Sequence, residues 1–225
     1  MPKRIIGTLP DLTGETNKVL GVTSETLDWV DPPSGAAGFT TMKHRAGQLG
    51  ISPKYLAGVA VARDVGAVSS APADVIRALP IFCPSWGATI TELMVNINSS
   101  AASRNVRFAI YRNKAEDDLY PGDLAEESSS LDASSPGQLS AVVSVVCSPG
   151  ELVWICYLPN NTSISIPCIS TSSFGLPIVG FTDISSAPTW GHLISHSFGA
   201  YPDPMPTAGR TDYNSTLISV FVTFS

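Results

Sequence analysis

Short runs of alternating apolar and polar residues, each broken by Gly, Pro, Ser or Asn, recur through most of this chain. In "TELMVNIN" (91–98) the apolar side chains Leu93, Val95 and Ile97 fall on every second position, and in "VRFAIY" (106–111) Val106, Phe108 and Ile110 do the same. Period two is the pattern of a half-buried strand, because successive side chains leave opposite faces of an extended backbone. Six further runs follow, at 138–148, 151–158, 162–170, 176–181, 192–198 and 215–224. They are bounded by turn formers such as "SPG", "NN", "SSFG" and "APTWG", with no helical period between them. With 18 Gly and 18 Pro in 225 residues, long helices are also disfavoured. The expected class is all-β, an antiparallel β-sandwich or jelly roll.

That sandwich is expected over residues 79–225. Residues 1–38 are turn-rich, close on "DPPSGAAG", and hold two short apolar pieces, "KVLGV" and "TLDWV". Neither piece could build a core alone, so this stretch reads as an extended N-terminal arm. Residues 39–78 follow neither period two nor period 3.6, and Gly47, Gly50, Pro53, Gly58 and Gly66 would interrupt any helix. They read as a linker with short strands and one helical turn at Ala73–Arg77.

Charge divides the chain. Residues 1–114 carry 12 basic and 8 acidic side chains, net +4, whereas residues 115–225 carry Arg210 against 11 carboxylates, net −10. An acidic half without a basic, aromatic-laced face argues against nucleic-acid binding. The longest apolar runs, such as "ELVWICYL" (151–158), are too short to span a bilayer, so no membrane insertion is expected. The N-terminus offers only Ile5–Ile6 as an apolar run, so no secretory signal is expected and the chain should stay in a cytoplasm until released. Cys83, Cys147, Cys156 and Cys168 form no C-x-x-C pair and lie in apolar contexts, as buried free thiols do.

Four features invite a chemical reading. The first is "KAEDDLYPGDLAEE" (114–127), which crowds six carboxylates: Glu116, Asp117, Asp118, Asp123, Glu126 and Glu127. Their clumped spacing is not that of a calcium loop, and Pro121-Gly122 suits the centre of a type II turn, so a solvated connection is expected rather than a metal or catalytic site. His192 and His196 stand four apart in a strand-like stretch without a third ligand of zinc-site spacing. G-x-S-x-G, S-x-x-K and Gly-rich phosphate loops are all absent. The C-terminal loops, finally, gather Trp190, His192, Tyr201, Asp203 and Arg210, an aromatic and planar polar set of the kind that binds glycans. The competing reading has Trp190 and Tyr201 capping the sandwich core. No catalytic residue, metal or cofactor is expected.

The order of motifs over 79–225 resembles a domain of tail-fibre and other fibre-like virion proteins of tailed bacteriophages. The elements are Ala109-Ile110-Tyr111 closing an Arg-containing strand, then Pro121-Gly122-Asp123-Leu124, then Gly137. Ser148-Pro149-Gly150 leading to Trp154, and Tyr201-Pro202-Asp203-Pro204-Met205-Pro206, complete the series. The chain departs from that pattern at Ala109, where the family has Gly, and at Glu151-Leu152-Val153 ahead of the Trp. "NKVLGVTSETLDWVD" (17–31) is similar to a short unit near the anchoring ends of phage fibres, which points to Val19, Leu20, Leu27, Trp29 and Val30 as attachment residues.

The resemblance implies a homotrimeric structural protein of the virion, assembled in the cytoplasm of a bacterial host. Its arm would dock on other virion proteins of tail, baseplate or capsid, and its sandwich would contact host-surface glycan. A head fibre or capsid decoration protein of purely structural role is the alternative. A glycan depolymerase, motivated by the carboxylates at 116–118, Asp183, Asp203 and Asp212, is the less favoured third reading. No catalytic residues are implied.

Overall fold

The computed structural model describes residues 19–23, 26–30, 54–57, 59–62, 67–70, 72–84, 87–99, 101–115, 118–169, 175–177, 179–181, 188–214 and 216–225. Two units divide the chain, Met1–Ala37 and Gly38–Ser225. In the first, β1 (Val19–Thr23) and β2 (Thr26–Val30) form an antiparallel hairpin that sets Leu20 across from Trp29 and Val22 across from Leu27. The five proposed attachment residues all lie on this pair of strands.

The second unit is all-β. Its first half comprises β3 (Lys54–Leu56), β4 (Val59–Ala62), β5 (Ala67–Ser70), β6 (Val75–Phe82), β7 (Ala88–Ile97), β8 (Asn105–Ala115), β9 (Asp118–Glu127), β10 (Leu131–Asp132) and β11 (Gly137–Cys147). Its second half comprises β12 (Leu152–Pro159), β13 (Ser165–Ile169), β14 (Gly175–Pro177), β15 (Gly180–Phe181), β16 (Pro188–Thr189), β17 (Gly191–Ser195), β18 (Arg210–Tyr213), β19 (Leu217–Ile218) and β20 (Phe221–Phe224). The largest sheet runs β10-β8-β12-β6-β17-β18, with β9 flanking the same edge of β8 as β10. A second sheet runs β11-β7-β20-β3, and a third β19-β13-β5. All pairings are antiparallel.

Strand β12 shows how the sequence builds the interior. Val153, Ile155 and Tyr157 enter one core, with Phe108 and Ile110 of β8, Leu79 and Ile81 of β6, and Leu93 and Val222 of the facing sheet. Trp154, Cys156 and Leu158 enter a second core with Ile76, Ala109, Tyr111, Tyr120, Ile194, Tyr201 and Met205. The near-continuous apolar run of this strand therefore reports burial on both faces. The first core is the interior of the sandwich. The second lies on the outer face of the largest sheet and needs a cover.

A strap over residues 196–206 supplies it. Tyr201 and Met205 bury their side chains in the second core. Tyr111 donates its hydroxyl to the Pro202 carbonyl and Tyr120 to that of Pro206, while the Tyr201 hydroxyl donates to the Arg107 carbonyl at 2.9 Å. Backbone amides add to this seam: the Tyr201 amide donates to Glu127 (2.9 Å), the Met205 amide to the Gly122 carbonyl (2.9 Å), and the Leu124 amide to Asp203 (3.0 Å). Asp74, at φ 56°, anchors the near end by accepting the Phe198 amide at 2.8 Å.

Several expectations change here. Residues 118–127 are not a solvated connection, and Pro121-Gly122 is not a turn. Both residues are buried inside β9, which pairs along β8 through several register shifts. Gly122 suits this place because a Cβ there would lie 2.8 Å from Lys114 Cα. In place of the expected helical turn at Ala73–Arg77, Ala73–Asp74 form a turn and β6 begins at Val75, running across residue 79. Within 39–78, β3 pairs with β20, β4 with β14 and β5 with β13, so these strands belong to the sheets of the second unit. All four cysteines are free and buried.

Each hydroxyl that ties the strap should be worth about 1 kcal/mol, the usual net value of a hydrogen bond. Tyr111→Phe and Tyr120→Phe should each lower stability by about that much in guanidinium unfolding. Gly191→Ala should cost more, because a Cβ there would stand 2.0 Å from the Ala78 carbonyl oxygen on β6.

Candidate functional site

Strands β9 and β18 lie at opposite ends of the sheet order, yet their side chains meet. The Arg210 guanidinium lies over the Tyr120 ring, 4.7 Å from its centroid, and 3.7 Å from the Asp118 carboxylate. The sheet thus curls until its two ends close over the second core. Period-two geometry puts Tyr120 of β9, Trp154 of β12 and His192 of β17 on that inner side.

His192 is the centre of the cluster. Its ring packs at a tilt between Tyr120 and Trp154, at centroid distances of 5.2 and 5.3 Å. Nε2 lies 2.8 Å from the Leu119 carbonyl, so the neutral ring carries its proton there. Nδ1 is buried without a hydrogen-bond partner and faces Asp212 at 3.7 Å. Burial holds the His192 pKa below the ordinary histidine value, with Arg210 adding to the depression, against the Leu119 carbonyl and the Asp212 and Asp118 carboxylates. Asp118 is lowered chiefly by its hydrogen bond to Lys114, at 3.1 Å, with Arg210 contributing.

Asn113 fixes the hairpin beside this cluster. Its side-chain oxygen accepts from the Trp154 indole at 2.9 Å and the Tyr120 amide at 3.2 Å. Beyond it opens a groove of about 440 Å³, lined by Arg112, Asn113, Glu151, Phe82, Leu119 and Leu152 among others. Arg112 pairs with Glu151 and also donates to the Val146 carbonyl at 2.8 Å. Glu151 in turn accepts the Ser148 amide at 2.7 Å.

Of the five residues expected to bind glycan, only His192 and Arg210 come together. Trp190 is buried in the first core, away from this side of the sheet. Tyr201 is part of the strap, and Asp203 serves it by accepting the Leu124 amide. Trp190 and Tyr201 are thus core residues, the competing reading. His196 makes a local contact from Nε2 to the Ala200 carbonyl (2.8 Å) and is not joined to His192. Sequence reasoning missed Arg112, Asn113, Glu151 and Trp154. The one available signal was a planar polar pair, Arg112-Asn113, directly following an apolar strand.

The carboxylates behind the depolymerase reading do not converge. Asp118 pairs with Lys114 and Arg210, Asp203 holds the strap, and Asp212 faces His192. Glu116, Asp117 and Asp183 lie outside the described residues. Among the described residues, no three His, Cys, Asp or Glu side chains are grouped so as to hold a metal ion.

A histidine whose folded pKa is depressed stabilises the fold above its unfolded value, about 6.5. That contribution is lost as pH falls, since the unfolded chain then binds the extra proton. Stability should therefore decline from pH 7 to pH 5.5, and His192→Gln should flatten this slope when melting temperature is followed across the range.

No protein-family model and no curated protein matches this chain.

Proposed function

We propose that the chain is a structural, non-enzymatic fibre subunit of a tailed-bacteriophage virion, anchored through residues 1–38, with the sandwich directed at the host surface. One observation carries this reading. Four of the motifs that resemble phage fibre domains, those at Tyr111, at 121–124, at Trp154 and at 201–206, lie far apart in sequence yet meet at one core. Tyr111 bonds Pro202, the Gly122 carbonyl accepts from Met205, and Leu124 donates to Asp203. Trp154 is held by Asn113, two residues past Tyr111. That these motifs pack on one core supports reading them as parts of a single domain. The separate hairpin of the first unit supports a distinct role for the N-terminal part.

A head fibre or capsid decoration protein fits the same sandwich and arm and differs only in docking place. The depolymerase reading is disfavoured because Asp118 is spent on ion pairs and Asp203 on a backbone amide. In the proposed assembly the subunits form a homotrimer.

Gold-labelled antibody against the chain should decorate tails or baseplates of purified particles; decoration of capsids would select the alternative, and bare particles would refute both. Light scattering of the full-length protein should give three chains per particle, and a monomer would contradict the proposed assembly.

A further inference from the structure

The groove beside Asn113 has a polar wall built in advance of any ligand. Arg112 has five N–H donors in a planar fork. One is directed to Glu151 and one to the Val146 carbonyl, which fixes the guanidinium at the groove that it lines and leaves three N–H groups outside these two bonds. Glu151 is held by both Arg112 and the Ser148 amide. Apolar surface comes from Phe82, Leu152 and Leu119, the last 41% exposed and one of three large exposed hydrophobics among the described residues. A volume of about 440 Å³ is in the range of small-ligand sites.

Charge selects the ligand class. Arg112 and Glu151 are already matched to each other, so the wall is polar but neutral. An anionic ligand would meet the Glu151 carboxylate, and a cationic one the Arg112 guanidinium. A neutral ligand with many hydroxyls meets neither penalty, and the C–H face of a sugar ring suits Leu119 and Phe82. We propose that this groove binds a neutral saccharide unit, its hydroxyls hydrogen-bonded to Arg112 and Glu151. The proposal rests on the reading of the sandwich as a surface-contacting head and assigns the contact to a site other than the C-terminal loop set.

An array of neutral and acidic oligosaccharides, probed with the full-length protein and followed by calorimetry on the best neutral binder, tests this. Ala115 also lines the groove and is exposed, so Ala115→Trp should fill it and weaken binding about tenfold or more, with melting temperature unchanged. Leu119→Ala should weaken it less. Binding of acidic glycans alone, no glycan binding, or equal affinity of Ala115→Trp would each overturn the groove assignment. The two readings fail separately. A chain that binds a neutral saccharide in the groove but is absent from particles sinks the fibre role alone. A virion chain whose adsorption to host cells is untouched by Ala115→Trp sinks the groove alone.

Discussion

The largest sheet is apolar on both faces, and everything else in the second unit answers to that constraint. A sandwich partner covers only one face. The other carries Ile76, Tyr111, Trp154 and Ile194, which would be exposed to water if the chain ended its work with two packed sheets. Burying an aromatic side chain of this size is worth on the order of 2–3 kcal/mol, so leaving the face open would be costly. The chain closes it by curling the β8–β9 hairpin over the sheet and drawing the 196–206 strap across. Tyrosine is the residue suited to this seam. Its ring fills the second core while its hydroxyl reaches a strap carbonyl.

The acidic stretch takes on a different meaning in that frame. Asp118 pairs with Lys114 and Arg210 where the curled sheet ends meet, and Glu127 binds both Arg107 (3.0 Å) and the Tyr201 amide. Glu126 accepts the Ser144 amide of β11 at 2.8 Å, while Arg112 donates to the Val146 carbonyl of the same strand. Strand β11 ends its sheet and carries the exposed Val142 and Val146. Capping its edge groups with side chains discourages another strand from adding there. Charges that looked free to bind a cation are mostly employed in holding strands.

What was legible in the sequence was the local pattern. The run 104–113 became β8 at Asn105–Ala115, and 138–148 became β11 at Gly137–Cys147, because each alternates and ends at turn residues. Strand β6 was hidden by Arg77 and Pro80 in "VIRALPIF". Pro80 is tolerated because β17 pairs only with Val75–Ala78, so it lies beyond that ladder. Strand β9 was hidden by its carboxylates and by Pro121-Gly122, whose turn chemistry is overridden by pairing with β8. The site was less legible still. Whether Trp190 or Trp154 lines a surface or fills a core depends on which distant segment covers each face, and period two cannot report that.

The central claim is that the strap belongs to the core and is not a surface loop. Native-state hydrogen exchange of the Leu124, Tyr201 and Met205 amides tests it directly, since all three donate across the seam. The account predicts that they exchange only with global unfolding, at rates matching the amides of β12. Exchange as fast as that of an exposed loop, with β12 still protected, would contradict it.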